Sequence, residues 1–120
     1  MAEIIYMRCS TRPQATGDSL SRQLSECLCF ARKRNLFVGW VFCDIASGDG
    51  RLPQRDAAMA LAKQKRCSVL VESSCRWSRA PAEGEAFEFF ASGRVIQCSD
   101  SAREFELRLG RVIKEAANGR

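Results

Sequence analysis

The run Glu3-Ile4-Ile5-Tyr6-Met7-Arg8-Cys9 is followed by Ser10-Thr11-Arg12-Pro13-Gln14-Ala15-Thr16-Gly17 and then by Asp18-Ser19-Leu20. It reads as a strand, a loop and the start of a helix. The first seven residues are almost continuously apolar, the pattern of a short strand buried on both faces. Pro13 and Gly17 break the next eight into a polar loop. Asp18 or Ser19 can cap the helix, and Leu20, Leu24, Cys27, Leu28 and Ala31 then fall on one face at helical spacing. Arg32, Lys33 and Arg34 suit its C-terminal end, where the helix dipole is negative.

The same alternation continues along the chain. Residues 36–43 make a second strand, Asp44 to Pro53 a Gly-rich loop, and residues 54–65 an Ala-rich helix carrying Met59 and Leu61. Cys67 to Val71 is a third buried strand. Residues 72–81 form a polar loop ending in Pro81, and residues 82–91 a helix presenting Phe87 and Phe90. Val95 and Ile96 mark a fourth strand. A last helix spans 101–117, opened by a Ser101/Glu104 capping box and striped by Phe105, Leu109, Val112, Ile113 and Ala116. This order predicts an α/β fold: three layers, with a mostly parallel, twisted sheet of about four to five strands and helices on both faces. The expected organisation is one domain over 1–100 followed by the helix within 101–120.

The chain has 120 residues, 46% hydrophobic and 28% charged, values suited to one small globular domain. No apolar run approaches the roughly 20 residues that span a bilayer, and the N-terminus lacks a signal-peptide pattern. A cytoplasmic protein with no membrane partner is expected. Nineteen basic against 14 acidic residues give a net charge of +5, which permits a polyanionic partner without demanding one. There is no histidine, which excludes His-based triads, imidazole bases and His metal ligands. The seven cysteines (Cys9, Cys27, Cys29, Cys43, Cys67, Cys75 and Cys98) are odd in number and form no CxxC. Reduced thiols are expected rather than a zinc site or a disulfide framework.

In open parallel sheets, ligands bind beyond the carboxyl ends of the strands. Those ends are three loops. The first holds Arg8, Ser10, Thr11, Arg12 and Gln14. The second holds Asp44, Ser47, Asp49 and Arg51, with Arg55 just inside the next helix. The third holds Glu72, Ser73, Ser74, Cys75, Arg76, Ser78 and Arg79. Arginine forks bind phosphate oxygens bidentately and stabilise the charge of a pentacovalent transition state. A serine among them can attack phosphorus to give a phosphoseryl intermediate. The competing reading is that loop arginines are simply solvated. The Gly48-Asp49-Gly50 turn is no phosphate-cradling P-loop, because the Gly-Lys-Ser/Thr element is missing.

Tyr6-Met7-Arg8-Cys9-Ser10-Thr11, then Gln14, then Ser19-Leu20-Ser21-Arg22-Gln23 resembles the start of the serine recombinases, the resolvase/invertase family. The resemblance continues in Asp44-Ile45-Ala46-Ser47-Gly48, in Arg55, and in Val69-Leu70-Val71 followed by Arg76-Trp77-Ser78-Arg79, covering about residues 3–80. It implies a site-specific recombinase that cuts and rejoins double-stranded DNA through a 5′-phosphoserine link. Ser10 would be the nucleophile; Arg8, Arg76 and Arg79 would hold the scissile phosphate; Gln14 and Ser47 match family positions that support the site. Tyr6, Arg22, Gln23, Asp44 and Arg55 would be supporting residues, and Arg12 a DNA-contact candidate. No metal and no other cofactor is implied. The partners implied are DNA and further copies of the chain, as a homodimer or synaptic tetramer.

Two departures from the family pattern stand out. Cys75 occupies the place of the family's Asp, and Ser74 that of the preceding Leu. A thiol is a poor proton carrier near pH 7, so impaired catalysis is expected. Beside Arg76 and Arg79, Cys75 is also a candidate redox-sensitive thiol. Second, residues 101–117 resemble only the beginning of the family's long dimerisation and DNA-contacting helix, and no DNA-reading domain is expected within these 120 residues. Arg103, Arg108, Arg111 and Lys114 on its outer side are candidate DNA contacts, and a separate DNA-targeting protein is an expected partner. The acidic Glu83, Glu85 and Glu88 should point away from DNA. The sequence is compatible with two alternatives. One is a catalytically degenerate interaction module that pairs with a full-length recombinase. The other is a different phosphoryl- or nucleotide-binding α/β domain using the same arginines.

Overall fold

Strand β1 (Ala2–Cys9) lies inside a four-stranded sheet of order β2-β1-β3-β4, in which every pairing is parallel. The computed structural model of the protein describes residues 2–10, 18–45, 51–78 and 83–99. After β1 come helix α1 (Asp18–Lys33), β2 (Phe37–Ile45), α2 (Pro53–Lys65), β3 (Val69–Val71), a single 3-10 turn at Ser74–Arg76, α3 (Glu85–Ala91) and β4 (Val95–Gln97). The expected fold class is the one observed.

Alternation along β1 builds both halves of the core. Ile4 and Tyr6 face one side with Val69 and Val71, and are covered there by Ala58, Met59 and Ala62 of α2, Phe89 of α3, and Trp77. Ile5 and Met7 face the other side with Leu70, under Cys27, Phe30 and Ala31 of α1. Burial of these side chains is the main favourable term holding the layers together, at roughly 25 cal/mol per Å² of apolar surface. Pro53 opens α2, where its missing N–H costs nothing. At the other end of α2, Arg94 Nη2 donates to the carbonyls of Ala62 and Cys67 at 2.8 and 2.7 Å, while its guanidinium lies 5.1 Å from the Phe89 ring centre. After α1 the chain turns through Asn35 in the left-handed region, which Asn tolerates better than most residues.

Several expected details differ. Strand β2 reaches Ile45, so Asp44 belongs to the strand and not to a loop. Leu28 is exposed, because Cys27, Phe30 and Ala31 supply the buried face of α1. In α3 the buried positions are Ala86 and Phe89; Phe90 packs only at the margin, and Phe87 is half-buried. The third loop contains the 3-10 turn at Ser74–Arg76, which apolar periodicity has no means to reveal. The helix expected over 101–117 lies outside the described residues. So do Thr11, Arg12, Gln14, Ser47 and Arg79, and the C-terminal candidates Arg103, Arg108, Arg111 and Lys114.

The chain runs from β1 to β2 on one side and later to β3 on the other. The strand order therefore reverses between β1 and β3, and the crevice beyond their carboxyl ends is the topological switch point. No helix among the described residues is long and apolar enough to cross a membrane.

Candidate active site at the ends of β1 and β3

Ser10 follows the last residue of β1 and is exposed. Its position is set by Arg8, whose backbone sits where β1 has outrun its neighbour, since the β1–β3 pairing covers Ile4 and Ile5. Buried peptide groups must find partners. Gln23 of α1, fully buried, supplies both: its Oε1 accepts from the Arg8 N–H at 3.1 Å and its Nε2 donates to the Arg8 carbonyl at 2.8 Å. The Gln23 amide thus does for Arg8 what a further peptide of a neighbouring strand would do, and ties the strand end to α1. Gln23 Nε2 also donates to Ser19 Oγ at 3.3 Å.

The side chain of Arg8 crosses to the third loop and donates from Nη2 to the Cys75 carbonyl. Arg76 reaches back from the 3-10 turn, donating from Nη1 to the Arg8 carbonyl at 3.3 Å. The Arg76 Nε donates to Glu72 Oε1 at 3.2 Å, and Arg22 of α1 pairs with Glu72 Oε2. Ser73 Oγ donates to Glu72 Oε1 at 3.3 Å and lies 3.1 Å from Cys75 Sγ. Arg8, Arg22, Arg76, Ser10 and Cys75 therefore meet at one edge of the sheet. Three guanidinium groups against one carboxylate leave the cluster net positive, suited to a phosphate. Among the described residues no group of acidic or thiol side chains has the arrangement to hold a metal ion.

Beneath this edge Tyr6, Asp44 and Trp77 form a buried support. Tyr6 OH donates to Asp44 Oδ2 at 2.8 Å, and its ring meets Trp77 edge-on at 5.5 Å. The same carboxylate accepts the backbone N–H groups of Gln54 (3.1 Å, Oδ1) and Arg55 (2.8 Å, Oδ2) in the first turn of α2. Leu52, the residue at the cap position, offers no side-chain bond. Asp44 thus caps α2 from the end of β2, meeting orphan donors and the positive end of the helix dipole together. Arg55 is committed elsewhere than the cluster: its Nη1 donates to the Trp77 carbonyl at 2.6 Å and to Glu83 Oε1 at 2.9 Å.

Asp44→Ala should lower stability by about 2–4 kcal/mol, through a lost cap and a buried phenol left without its acceptor. Urea unfolding checks this. A double-mutant cycle should show Tyr6→Phe costing less in the Asp44→Ala background than in wild type; strict additivity would refute the shared support.

Burial, then the Asp44 hydrogen bond and charge, push the Tyr6 phenol above its ordinary 10.0. Its hydrogen bond with Cys98, then burial, push the Cys27 thiol above its ordinary 9.0. The folded protein therefore keeps protons that the unfolded chain releases. This contribution is intact below about pH 9 and is lost as pH rises through 9 to 10 and beyond, at about 1.4 kcal/mol per pH unit for each group fully in play. Urea midpoints should fall with pH in this range, and Tyr6→Phe should flatten the part above pH 10.

Of the residues the sequence points to, the structure places Tyr6, Arg8, Ser10, Arg22, Gln23, Asp44, Cys75 and Arg76 at this edge or in its support. Sequence reasoning placed Glu72 in the third loop without giving it a role. The one available signal was an acidic residue directly after an apolar strand and four residues before Arg76.

The family described as Resolvase, N terminal domain, matches residues 3–106. No curated protein matches the chain. Among solved structures, the chain resembles the C-terminal catalytic domain of ISC1926 TnpA, an IS607-like serine recombinase, with TM-score 0.66 and 24% identity over 99% of this chain and 84% of that one. The corresponding domain of IS1535 TnpA, also IS607-like, gives TM-score 0.64 and 26% identity over 80% of this chain and 70% of that one. The N-terminal catalytic domain of TP901-1 integrase gives 0.65 and 20% over 98% of each. With the family match running from the first strand past β4, and the same fold recurring in recombinase catalytic domains, the chain belongs to the resolvase family of serine recombinases and carries its catalytic-domain fold.

Proposed function

We propose that the protein cuts and rejoins DNA with Ser10 as nucleophile. The observation that carries this reading is the convergence of Arg8 and Arg76 with exposed Ser10 at the β1/β3 switch point. In the forward step Ser10 Oγ forms a bond to phosphorus while the bond from phosphorus to the 3′ oxygen breaks. The serine proton is lost and the departing oxygen gains one, leaving a 5′-phosphoserine and a 3′-hydroxyl. Rejoining reverses the step, so no outside energy source enters. Arg8 and Arg76 offset the charge that grows on the phosphoryl oxygens. Gln14, Ser47 and Arg79 belong to the same proposal on the strength of the sequence resemblance, with Arg12 and the basic residues Arg103, Arg108, Arg111 and Lys114 as DNA contacts. Self-association into a dimer or tetramer, and a separate DNA-targeting protein, are proposed partners.

The test is trapping. Mixed with DNA from its own locus and quenched with SDS, the wild-type chain should yield a DNA-linked protein species. Absence of that species, both from the purified chain and in an extract of its own cells that supplies a targeting protein, overturns the recombination reading for the chain as it stands. A second reading rests on Cys75, an exposed thiol lying against Ser73 Oγ in the family's Asp position. It holds that the domain is a silenced recombinase that regulates an active partner. An adduct formed by Cys75→Asp and not by wild type would establish it.

A further inference from the structure

We propose that Glu72 is the positioning carboxylate of this site, fixing the guanidinium of Arg76, with that of Arg22, beside the Ser10 strand end; the inference rests on the recombinase reading and deepens it. Glu72 is only 5% exposed. A carboxylate so placed is costly unless its oxygens are satisfied. Both are: Oε1 accepts from Arg76 Nε at 3.2 Å and from Ser73 Oγ at 3.3 Å, and Oε2 pairs with Arg22 Nη1. Its backbone is fixed as well, since Glu72 follows β3 directly and its carbonyl accepts from the Ser99 N–H at 2.9 Å.

The geometry of the grip matters more than its charge. A guanidinium is planar, so two anchors define its plane. Arg76 is held at Nε by Glu72 and at Nη1 by the Arg8 carbonyl, 3.3 Å away. Its Nη2 has no hydrogen-bond partner among the described residues. Cys75 meets Arg8 through its backbone carbonyl, and its thiol lies on Ser73 Oγ. Among the described residues Glu72 is the one carboxylate that reaches this arginine cluster. Its negative charge works against anion binding. Glu72 therefore weakens ground-state attraction for DNA while it aligns Arg76 for the transition state, and the two effects separate on mutation.

The decisive variant is Glu72→Gln in the full chain, read in three ways. Non-covalent affinity for DNA of the native locus should stay equal or tighten. The rate of SDS-resistant adduct formation at saturating DNA should fall by about 10- to 100-fold, the scale of a misplaced catalytic group. The Arg76 Nε–H resonance, assigned by its absence in Arg76→Lys, should be slow-exchanging in wild type and move to the solvated-arginine position in Glu72→Gln. Glu85→Gln, an equal charge change in the exposed pair with Lys63, should leave the rate unchanged. A Glu72→Gln rate equal to wild type overturns the proposal, as does parallel loss of affinity, rate and unfolding midpoint. If the wild type itself yields no adduct, the recombinase reading fails. The resonance alone then decides: held in wild type and released in the variant supports the positioning role, and no change overturns it. Should Glu72→Gln not fold, a solvated-type Arg76 resonance in the wild type overturns the proposal and a slow-exchanging one supports it.

Discussion

Ser10→Ala is expected to abolish the covalent DNA adduct, a loss of about 10⁴-fold or more in cleavage rate, because the proposed mechanism loses its attacking atom. The fold should be untouched. Ser10 is exposed at the end of β1, and the strand's last backbone groups are held by Gln23 rather than by the serine. Substitution at such a site costs within about 0.5 kcal/mol. Non-covalent DNA affinity should also survive, since the proposal draws it from arginine charge at phosphates. The measurement pairs SDS trapping with DNA binding and urea unfolding on the same preparation. Adduct persisting in Ser10→Ala would assign the nucleophile elsewhere.

Trp77→Ala is expected to be the most damaging single truncation for stability, at about 3–5 kcal/mol. A small domain has only about 5–15 kcal/mol in total. Trp77 is the largest fully buried side chain in the described core. It stands edge-on to Tyr6 and 5.7 Å from the ring of Phe89, so its removal opens a cavity between β1 and α3 that neither ring fills by collapse. The indole N–H also donates to the Ala86 carbonyl at 2.8 Å, tying the third loop to α3. Trp77→Phe should restore much of the packing and not that hydrogen bond, and so fall between the two. Urea unfolding gives the number, and a loss below about 1 kcal/mol would contradict the cavity argument. Arg76 precedes Trp77 in the chain, so Trp77→Ala should also impair cleavage beyond its effect on the folded fraction.

Both predictions concern residues that differ in how openly the sequence announces them. Ser10 and Arg8 are legible because they close a short apolar run bounded by a polar loop, the pattern of a buried strand, and because a parallel sheet puts its functional groups at strand ends. Trp77 carries no such signal. It lies in a polar loop by composition, and it becomes a core residue because the 3-10 turn at Ser74–Arg76 folds it under the sheet edge. By its place in the sequence, Asp44 reads as the first residue of a loop. Extension of β2 makes it a buried cap for a helix that starts nine positions later, an interaction between residues too far apart for any local pattern to display. The place of Arg55 in the chain groups it with the phosphate-binding arginines, but its guanidinium goes instead to the Trp77 carbonyl and Glu83.

The alternation of strands and helices, the parallel sheet and the family are all readable from the chain alone, because apolar periodicity and short motifs are local properties carried by neighbouring residues. So are the strand ends that hold the arginines and the serine. The tertiary structure alone decided the partners. Gln23 clamps the backbone of Arg8, Asp44 joins Tyr6 to α2, and Glu72 holds Arg22 and Arg76 together. Apart from Glu72–Arg76, a pair four residues apart in one segment, these contacts join elements brought together by the strand order β2-β1-β3-β4. A buried polar group takes whichever partner the packing places within about 3 Å, and that choice is made only when the layers close.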